Sequence, residues 1–114
     1  VHEEWYFGSL NRADRRLYLC RHMDKPVGMF RLDFLSGTEA EISYSIDKAV
    51  RHRGYGREMI REGERLTAAQ FPGIKVLYAK VKPENAASCR IFEELGYEKE
   101  ETDTCVRYRK GMTS

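Results

Sequence analysis

The sequence predicts an α+β fold, a mixed and mostly antiparallel sheet flanked by helices, and three observations carry that expectation. Residues 17–46 read as three strands separated by turns, the last with apolar residues alternating with polar ones. A basic, glycine-bearing loop at residues 51–57 then leads into a segment of helical periodicity. A short apolar run and a second helical segment complete the order strand, loop, helix, strand, helix.

Residues 1–15 are polar and arginine-rich around Trp5, Tyr6, Phe7 and Leu10, and read as a short helix ending near Asp14. Leu17–Cys20 has strand character, and Asp24-Lys25-Pro26 turns the chain into a second strand over Val27–Phe34. After Ser36-Gly37-Thr38, Ile42, Tyr44 and Ile46 alternate with Glu41, Ser43 and Ser45, the pattern of a third, half-buried strand. Met59, Ile60, Gly63, Leu66 and Phe71 then recur at helical spacing, with charged residues between them, until Pro72-Gly73 stops the helix. The run Val76-Leu77-Tyr78-Ala79 reads as a parallel strand buried on both faces. Asn85 is placed to cap a second helix carrying Ala86, Ala87, Cys89, Ile91, Phe92 and Leu95 and ending at Gly96. Val106 and Tyr108 belong to one or two closing strands.

Composition narrows the function. At 114 residues the chain, 1–114, is a single domain. Its 20 Lys plus Arg against 18 Asp plus Glu, interleaved, argue against a general nucleic-acid binder. No apolar run reaches the roughly 18 residues of a membrane span. Cys20, Cys89 and Cys105 are odd in number and lack metal-ligand spacing, so neither a disulfide framework nor a metal site is expected. The N-terminus lacks the layout of a secretory signal, which makes the cytoplasm the expected compartment, and the absence of an initiating Met suggests a domain excised from or fused to a larger protein.

The local exception to charge balance is residues 48–57, where Lys48, Arg51, His52, Arg53 and Arg57 meet no acidic residue. Gly54 and Gly56 lie between a strand and a helix, where free main-chain N–H groups converge at a positive helix end and a diphosphate fits. Glycine is expected there so that the backbone can approach the anion and adopt permissive dihedrals. The plainer reading is a strand-to-helix turn flanked by solvated arginines; its position in the predicted order favours the ligand. Neither G-x-x-x-x-G-K-[ST] nor G-x-G-x-x-G occurs, since Met59 stands three after Gly56.

Arg51-His52-Arg53-Gly54-Tyr55-Gly56 resembles the R/Q-x-x-G-x-G/A motif of the GNAT acetyltransferase superfamily, and residues 85–97, Asn85 to Tyr97, resemble its second motif. The likeness covers roughly residues 16–100. It implies a sheet with a splayed central parallel pair, with the family's first strand and two early helices largely missing from this chain. It also implies acetyl-CoA as acetyl donor, with no metal. The loop Arg51, His52, Arg53, Gly54, Tyr55, Gly56 and Arg57 would hold the coenzyme diphosphate. Ile46, Asp47 and Lys48 would bond the pantetheine arm, with the Ile46 amide polarising the thioester carbonyl. Asn85 and Ser88 would touch that arm, or serve only as helix cap and surface hydroxyl.

Proton transfer is less determined. Glu41 is the expected base, with Glu39 and Asp47 as rivals, although a carboxylate on a strand's wet face is more often a solubilising group. Phe92 stands where the family often has a tyrosine acid. Water, Tyr97, Tyr78 and Ser88 are the alternatives, unless the thiolate leaves unprotonated. The expected acceptor is a primary amine of a small molecule, on loose likeness a nucleotide-linked amino sugar. A protein N-terminus or lysine is the alternative acceptor, and Lys80, standing where ribosomal-protein N-terminal acetyltransferases typically carry a glutamate, weakens the N-terminal form of it. A non-catalytic acyl-CoA sensor is the reading from another class, and a homodimer or fused domain is expected to complete the acceptor wall.

Overall fold

The computed structural model describes residues 5–11, 14–102 and 104–112. Strands β1 (Trp5–Asn11), β2 (Arg15–His22), β3 (Lys25–Phe34) and β4 (Glu39–Ile46) form an antiparallel meander. Helix α1 (Tyr55–Gln70) carries the chain to β5 (Val76–Val81), parallel to β4, and α2 (Ala86–Glu94) leads to β6 (Glu98–Glu101) and β7 (Val106–Gly111). The sheet order is β1-β2-β3-β4-β5-β7-β6, with β7 inserted beside β5.

The expected helix before Asp14 is instead β1. Trp5 and Phe7 point to the core side and pack on His22, Tyr18 and Phe30, while Tyr6 and Leu10 face outward. A two-residue period over an aromatic-rich run suits a strand, and pairing with β2 outweighs the polar composition that suggested a helix.

Both helices lie on one face of the sheet. Phe30 touches Gly63 of α1, and Tyr108 stacks on Phe92 of α2 with ring centroids 5.5 Å apart. The register places Phe30 opposite Tyr44, Ala40 opposite Leu77, and Ala79 opposite Tyr108, so these side chains share the helix-covered face. The opposite face carries Leu19, Met29, Arg31, Glu41, Tyr78, Lys80 and Arg107, none of them fully buried. For that reason β5 is not buried on both sides as expected: Leu77, Ala79 and Val81 are buried, whereas Val76 and Tyr78 are half-exposed.

Helix α1 follows its predicted stripe through Met59, Ile60, Gly63 and Leu66, joined by buried Thr67, whose hydroxyl donates to the Gly63 carbonyl at 2.8 Å. In α2 the buried positions are Ser88 and Phe92, while Ala86 and Ala87, expected on its apolar stripe, are exposed at its first turn. Where β7 passes the helices, the Tyr97 hydroxyl donates to Glu64 at 2.7 Å and Lys110 donates to Glu64 at 3.2 Å and to the Leu95 carbonyl at 2.8 Å.

A Cβ on Gly63 would stand 2.4 Å from the Phe30 ring, so Gly63 sets how closely α1 lies on the sheet. Gly63→Ala gains about 1 kcal/mol of helix propensity but overpacks a filled core at a typical cost of about 1–3 kcal/mol. Net destabilisation is expected in denaturant unfolding; a midpoint at or above wild type would show that the contact is slack.

Candidate functional site

The site forms where the pairing of β4 with β5 stops. The parallel ladder joins Glu39 to Val76, Ala40 to Leu77 and Glu41 to Tyr78, and ends there although β4 runs on to Ile46 and β5 to Val81. On its other edge β4 stays with β3 to the end, through Gly28 opposite Ile46 and an Asp47 N–H that donates to the Val27 carbonyl at 2.6 Å. Main-chain groups in an antiparallel ladder alternate between edges. The N–H groups of Ile46 and Tyr44 therefore face away from β3, into the opening beside β5. Gly28 permits this arrangement, since a Cβ there would lie 1.9 Å from the Ser45 carbonyl oxygen. The two strands are thus held apart by their outer partners, β3 on one side and β7 on the other.

Beyond Ile46 the Asp47 carboxylate accepts from the Ala49 N–H at 3.0 Å and fixes a 3₁₀ turn at Lys48–Val50. Two residues of the next loop take the left-handed conformation, His52 at φ 67° and Gly54 at φ 78°. Left-handed residues interleaved with others curl successive N–H groups toward a common centre. Helix α1 starts at Tyr55 without a side-chain cap, and its first main-chain bond runs from Glu58 N–H to the Gly54 carbonyl at 3.4 Å. The N–H groups of Tyr55, Gly56 and Arg57 precede that bond and are the helix's open donors.

The two glycines serve different ends. A Cβ on Gly54 would meet nothing within 4 Å, so its requirement is the left-handed φ. Gly56 is buried, and a Cβ there would come within 3.0 Å of Ile91 Cδ1 and 3.2 Å of the Tyr44 ring. Beyond the approach of an anion expected from sequence, Gly56 spares room for packing α1 on β4 and α2.

A cavity of about 480 Å³ runs from this loop along the end of β4 to the start of α2, lined by residues that include Tyr44, Ser45, Ile46, Val50, Ile91 and Ala87. Of the residues expected from sequence, it gathers Ile46, Arg51, His52, Gly54, Tyr55, Gly56, Asn85 and Ser88. Asp47, Lys48, Arg53, Arg57 and Glu41 are outside its lining. The Asp47 N–H is spent on Val27, which removes it from the expected contacts to a bound arm. Arg51 turns back so that Nε donates to the Ile46 carbonyl at 3.2 Å, tying loop to strand, and Arg57 stands 3.8 Å from Glu94. Glu41 occupies the last paired position of the ladder on the face away from the helices, 3.7 Å from the Lys80 ammonium and opposite Asp33.

The second helix contributes its N-terminus. Asn85 Oδ1 accepts from Ser88 N–H at 3.2 Å, so the cap reading of Asn85 holds. Ser88 Oγ stands 2.6 Å from the Tyr44 hydroxyl, a bond that bridges β4 and α2 inside the cavity. Burial holds the Tyr44 phenol above its ordinary pKa despite that bond. Sequence reasoning placed Tyr44 only as one apolar position in an alternation; the hydroxyl's partner lies on a helix that periodicity cannot dock. The two other tyrosines considered as acids are engaged elsewhere, Tyr97 with Glu64 and Tyr78 with Glu39 at 3.0 Å. Phe92 is buried between Tyr44, Tyr97 and Tyr108. Among the described residues no group of three or more His, Cys, Asp or Glu could hold a metal, and no helix is long and apolar enough to cross a membrane.

The model of the acetyltransferase (GNAT) family matches residues 1–97. No curated protein sequence is similar enough to match. Among solved structures the fold resembles the N-acetyltransferase PseH of Campylobacter jejuni, with a TM-score of 0.81 and 11% identity over 90% of this chain and 71% of that one. It also resembles spermidine N-acetyltransferase of Vibrio cholerae, solved with CoA and spermine, with a TM-score of 0.78 and 18% identity over 88% of this chain and 67% of that one. Identities this low bear on the fold alone.

Two stability measurements check the geometry. Gly54→Ala places a Cβ residue in the left-handed region at a cost of about 1–2 kcal/mol, whereas Gly54→Asn, which tolerates that region, should fall nearer wild type. Equal midpoints for the two variants would contradict the φ argument. Asn85→Ala should lose about 1 kcal/mol through the missing cap, read as a lowered thermal midpoint.

Proposed function

This chain belongs to the GNAT acetyltransferase family, and from that premise we propose that it transfers the acetyl group of acetyl-CoA to a primary amine of a small molecule. The single observation that carries the reading is the coincidence, in one cavity, of a strand edge with unpaired N–H groups at Ile46 and an open helix N-terminus behind the loop of residues 51–56.

In this reading the amides of Tyr55, Gly56 and Arg57, with the curled loop before them, bind the diphosphate of the coenzyme. Arg51, His52 and Arg53 add positive charge around it. The pantetheine arm enters the opening beside β4 as a pseudo-strand, bonding the main chain at Ile46. Its thioester carbonyl is polarised by that N–H as negative charge develops on oxygen. Asn85, whose carbonyl oxygen is committed to the cap, keeps its side-chain NH₂ for the arm, and Ser88 offers its hydroxyl beside it. The helix-covered face is filled by Ile42, Ala79 and Phe92, so the acceptor amine arrives over the bare face, where Glu41 stands beside Lys80 at the last rung of the ladder. Glu41 would take the ammonium proton there, directly or through water.

The acceptor class follows from likeness, not from a binding motif. Short segments such as Pro26–Arg31 and Glu39–Ile46 resemble those of enzymes that acetylate nucleotide-linked amino sugars. Ribosomal L7/L12 α-N-protein acetyltransferase, named RimL, shares the fold at 15% identity, and protein amines are accordingly the alternative acceptor. A sensor that binds acyl-CoA without turnover is the reading from another class, supported by Phe92, which has no proton to give.

Acetyl-CoA-dependent thiol release with a panel of amines separates enzyme from sensor: release with one amine class supports transfer, and tight coenzyme binding with no release from any amine supports the sensor. Arg51→Gln should weaken coenzyme binding several-fold by calorimetry, with a shallower salt dependence, as expected for one fewer cation near the diphosphate. Glu41→Gln should lower kcat by one to three orders of magnitude with little change in coenzyme affinity. Unchanged turnover across the pH range would remove Glu41 from the mechanism.

A further inference from the structure

We infer that the hydroxyl pair Tyr44–Ser88 supplies the hydrogen bond, and then the proton, that the departing coenzyme thiolate requires. The inference rests on the proposed acetyl transfer and names a group within that same site. Acyl transfer from a thioester to an amine breaks the C–S bond, forms a C–N bond and leaves the sulfur with an electron pair that must be protonated for release as thiol. A donor for it has to be a hydroxyl or a cation reaching into the opening between β4 and β5.

The cavity offers few such groups. Arg51 and His52 stand at the loop, the diphosphate end, and Tyr55 begins α1 beside them. Ser45 alternates with Tyr44 and Ile46 along β4 and so points to the opposite sheet face. Going back along β4 from Ile46 toward Glu41, where the ladder closes, the next side chain on the cavity side is Tyr44, whose hydroxyl is 2.6 Å from Ser88 Oγ. Ser88 lies one turn before Phe92 on the buried face of α2, and Phe92 has no proton to give. With Tyr44 donating within the pair, the Ser88 proton is left for the opening that both residues line. Ser88 passes its proton to sulfur and is reprotonated from Tyr44, which recovers a proton from solvent through the loop end of the cavity.

The surroundings suit a donor. Burial raises the Tyr44 pKa, which keeps the phenol protonated through neutral and mildly alkaline pH. The ionisable group that faces it from α2 is Cys89, and Tyr55 from α1 and Arg51 and His52 from the loop share its cavity. Ile91 and Phe92 close the remaining sides with apolar surface, and a hydrogen bond to a thiolate is stronger in such a site than in water. Tyr44 acts through Ser88 and is in that sense a positioning residue.

The test needs no acceptor. Coenzyme A is bound to the protein, and the ultraviolet absorbance of its thiolate is titrated with pH in wild type, Tyr44→Phe and Ser88→Ala. Donors aimed at sulfur stabilise the thiolate, so the bound thiol should titrate at lower pH in wild type than in either variant, by at least half a pH unit. Calorimetry at neutral pH gives the coenzyme affinity of each variant, so that the three titrations are compared on fully bound coenzyme. Thermal midpoints establish that both variants fold. Identical thiol titrations in all three proteins would overturn the inference while leaving the proposed function standing. Failure of the wild type to bind coenzyme would overturn both.

Discussion

Everything at the site depends on β4 having two unlike edges. One is bonded to β3 along its whole length, closely enough that only glycine fits at residue 28. The other meets β5 for three residues and then faces open space. A strand normally satisfies both edges, because an unpaired buried amide costs as much as a lost hydrogen bond. Here the sheet keeps its continuity at Glu39–Glu41 and gives it up at Tyr44–Ile46, and the donors so released are the chemical content of the cavity. The nearby N-terminus of α1 adds donors of the same kind. Main-chain geometry therefore accounts for most of the recognition proposed here, with side chains tuning it.

Side chains fix the width of the opening. Gly56 brings the first turn of α1 against Tyr44 and Ile91, and Gly63 lays the middle of the same helix on Phe30. The Tyr44–Ser88 bond and the Tyr44–Phe92 ring contact set α2 against β4. At the far end Tyr97, Lys110 and Glu64 join β7 to α1 through partly buried hydrogen bonds. Two glycines, one hydroxyl pair and one partly buried network thus hold two helices at fixed distances from a sheet that is itself forked.

How much of this was legible in the sequence follows from the range of each interaction. The helix α1, the Asn85 cap and the stop at Pro72-Gly73 rest on neighbours within a few residues, and the residues announced them. The meander through β4 and the parallel strand after α1 followed from the turns and the crossover, whereas the insertion of β7 between β5 and β6 has no local signal. β1 was misread because its pairing with β2, the force that makes it a strand, is not written in its own composition. The double burial of β5 failed because both helices lie on one face, which no local period reveals. The need for glycine at residue 56 was not legible, because its Cβ would meet Ile91, a residue 35 positions later in the chain. Tyr44 was seen as apolar surface since its partner, Ser88, is brought to it only by the docking of α2.

The forked pairing has a kinetic corollary. The meander β1–β4 closes through short turns and can form early, whereas the three rungs between β4 and β5 join residues separated by the loop and the whole of α1. Contacts of such long sequence separation form late, after the entropy of closing the intervening chain has been met. A partly folded molecule would hold its meander and have no cavity. Coenzyme, if it binds the finished fork as proposed, then acts on the folding equilibrium by mass action, so the concentration of ligand around a newly made chain would set how much of it persists in the native form.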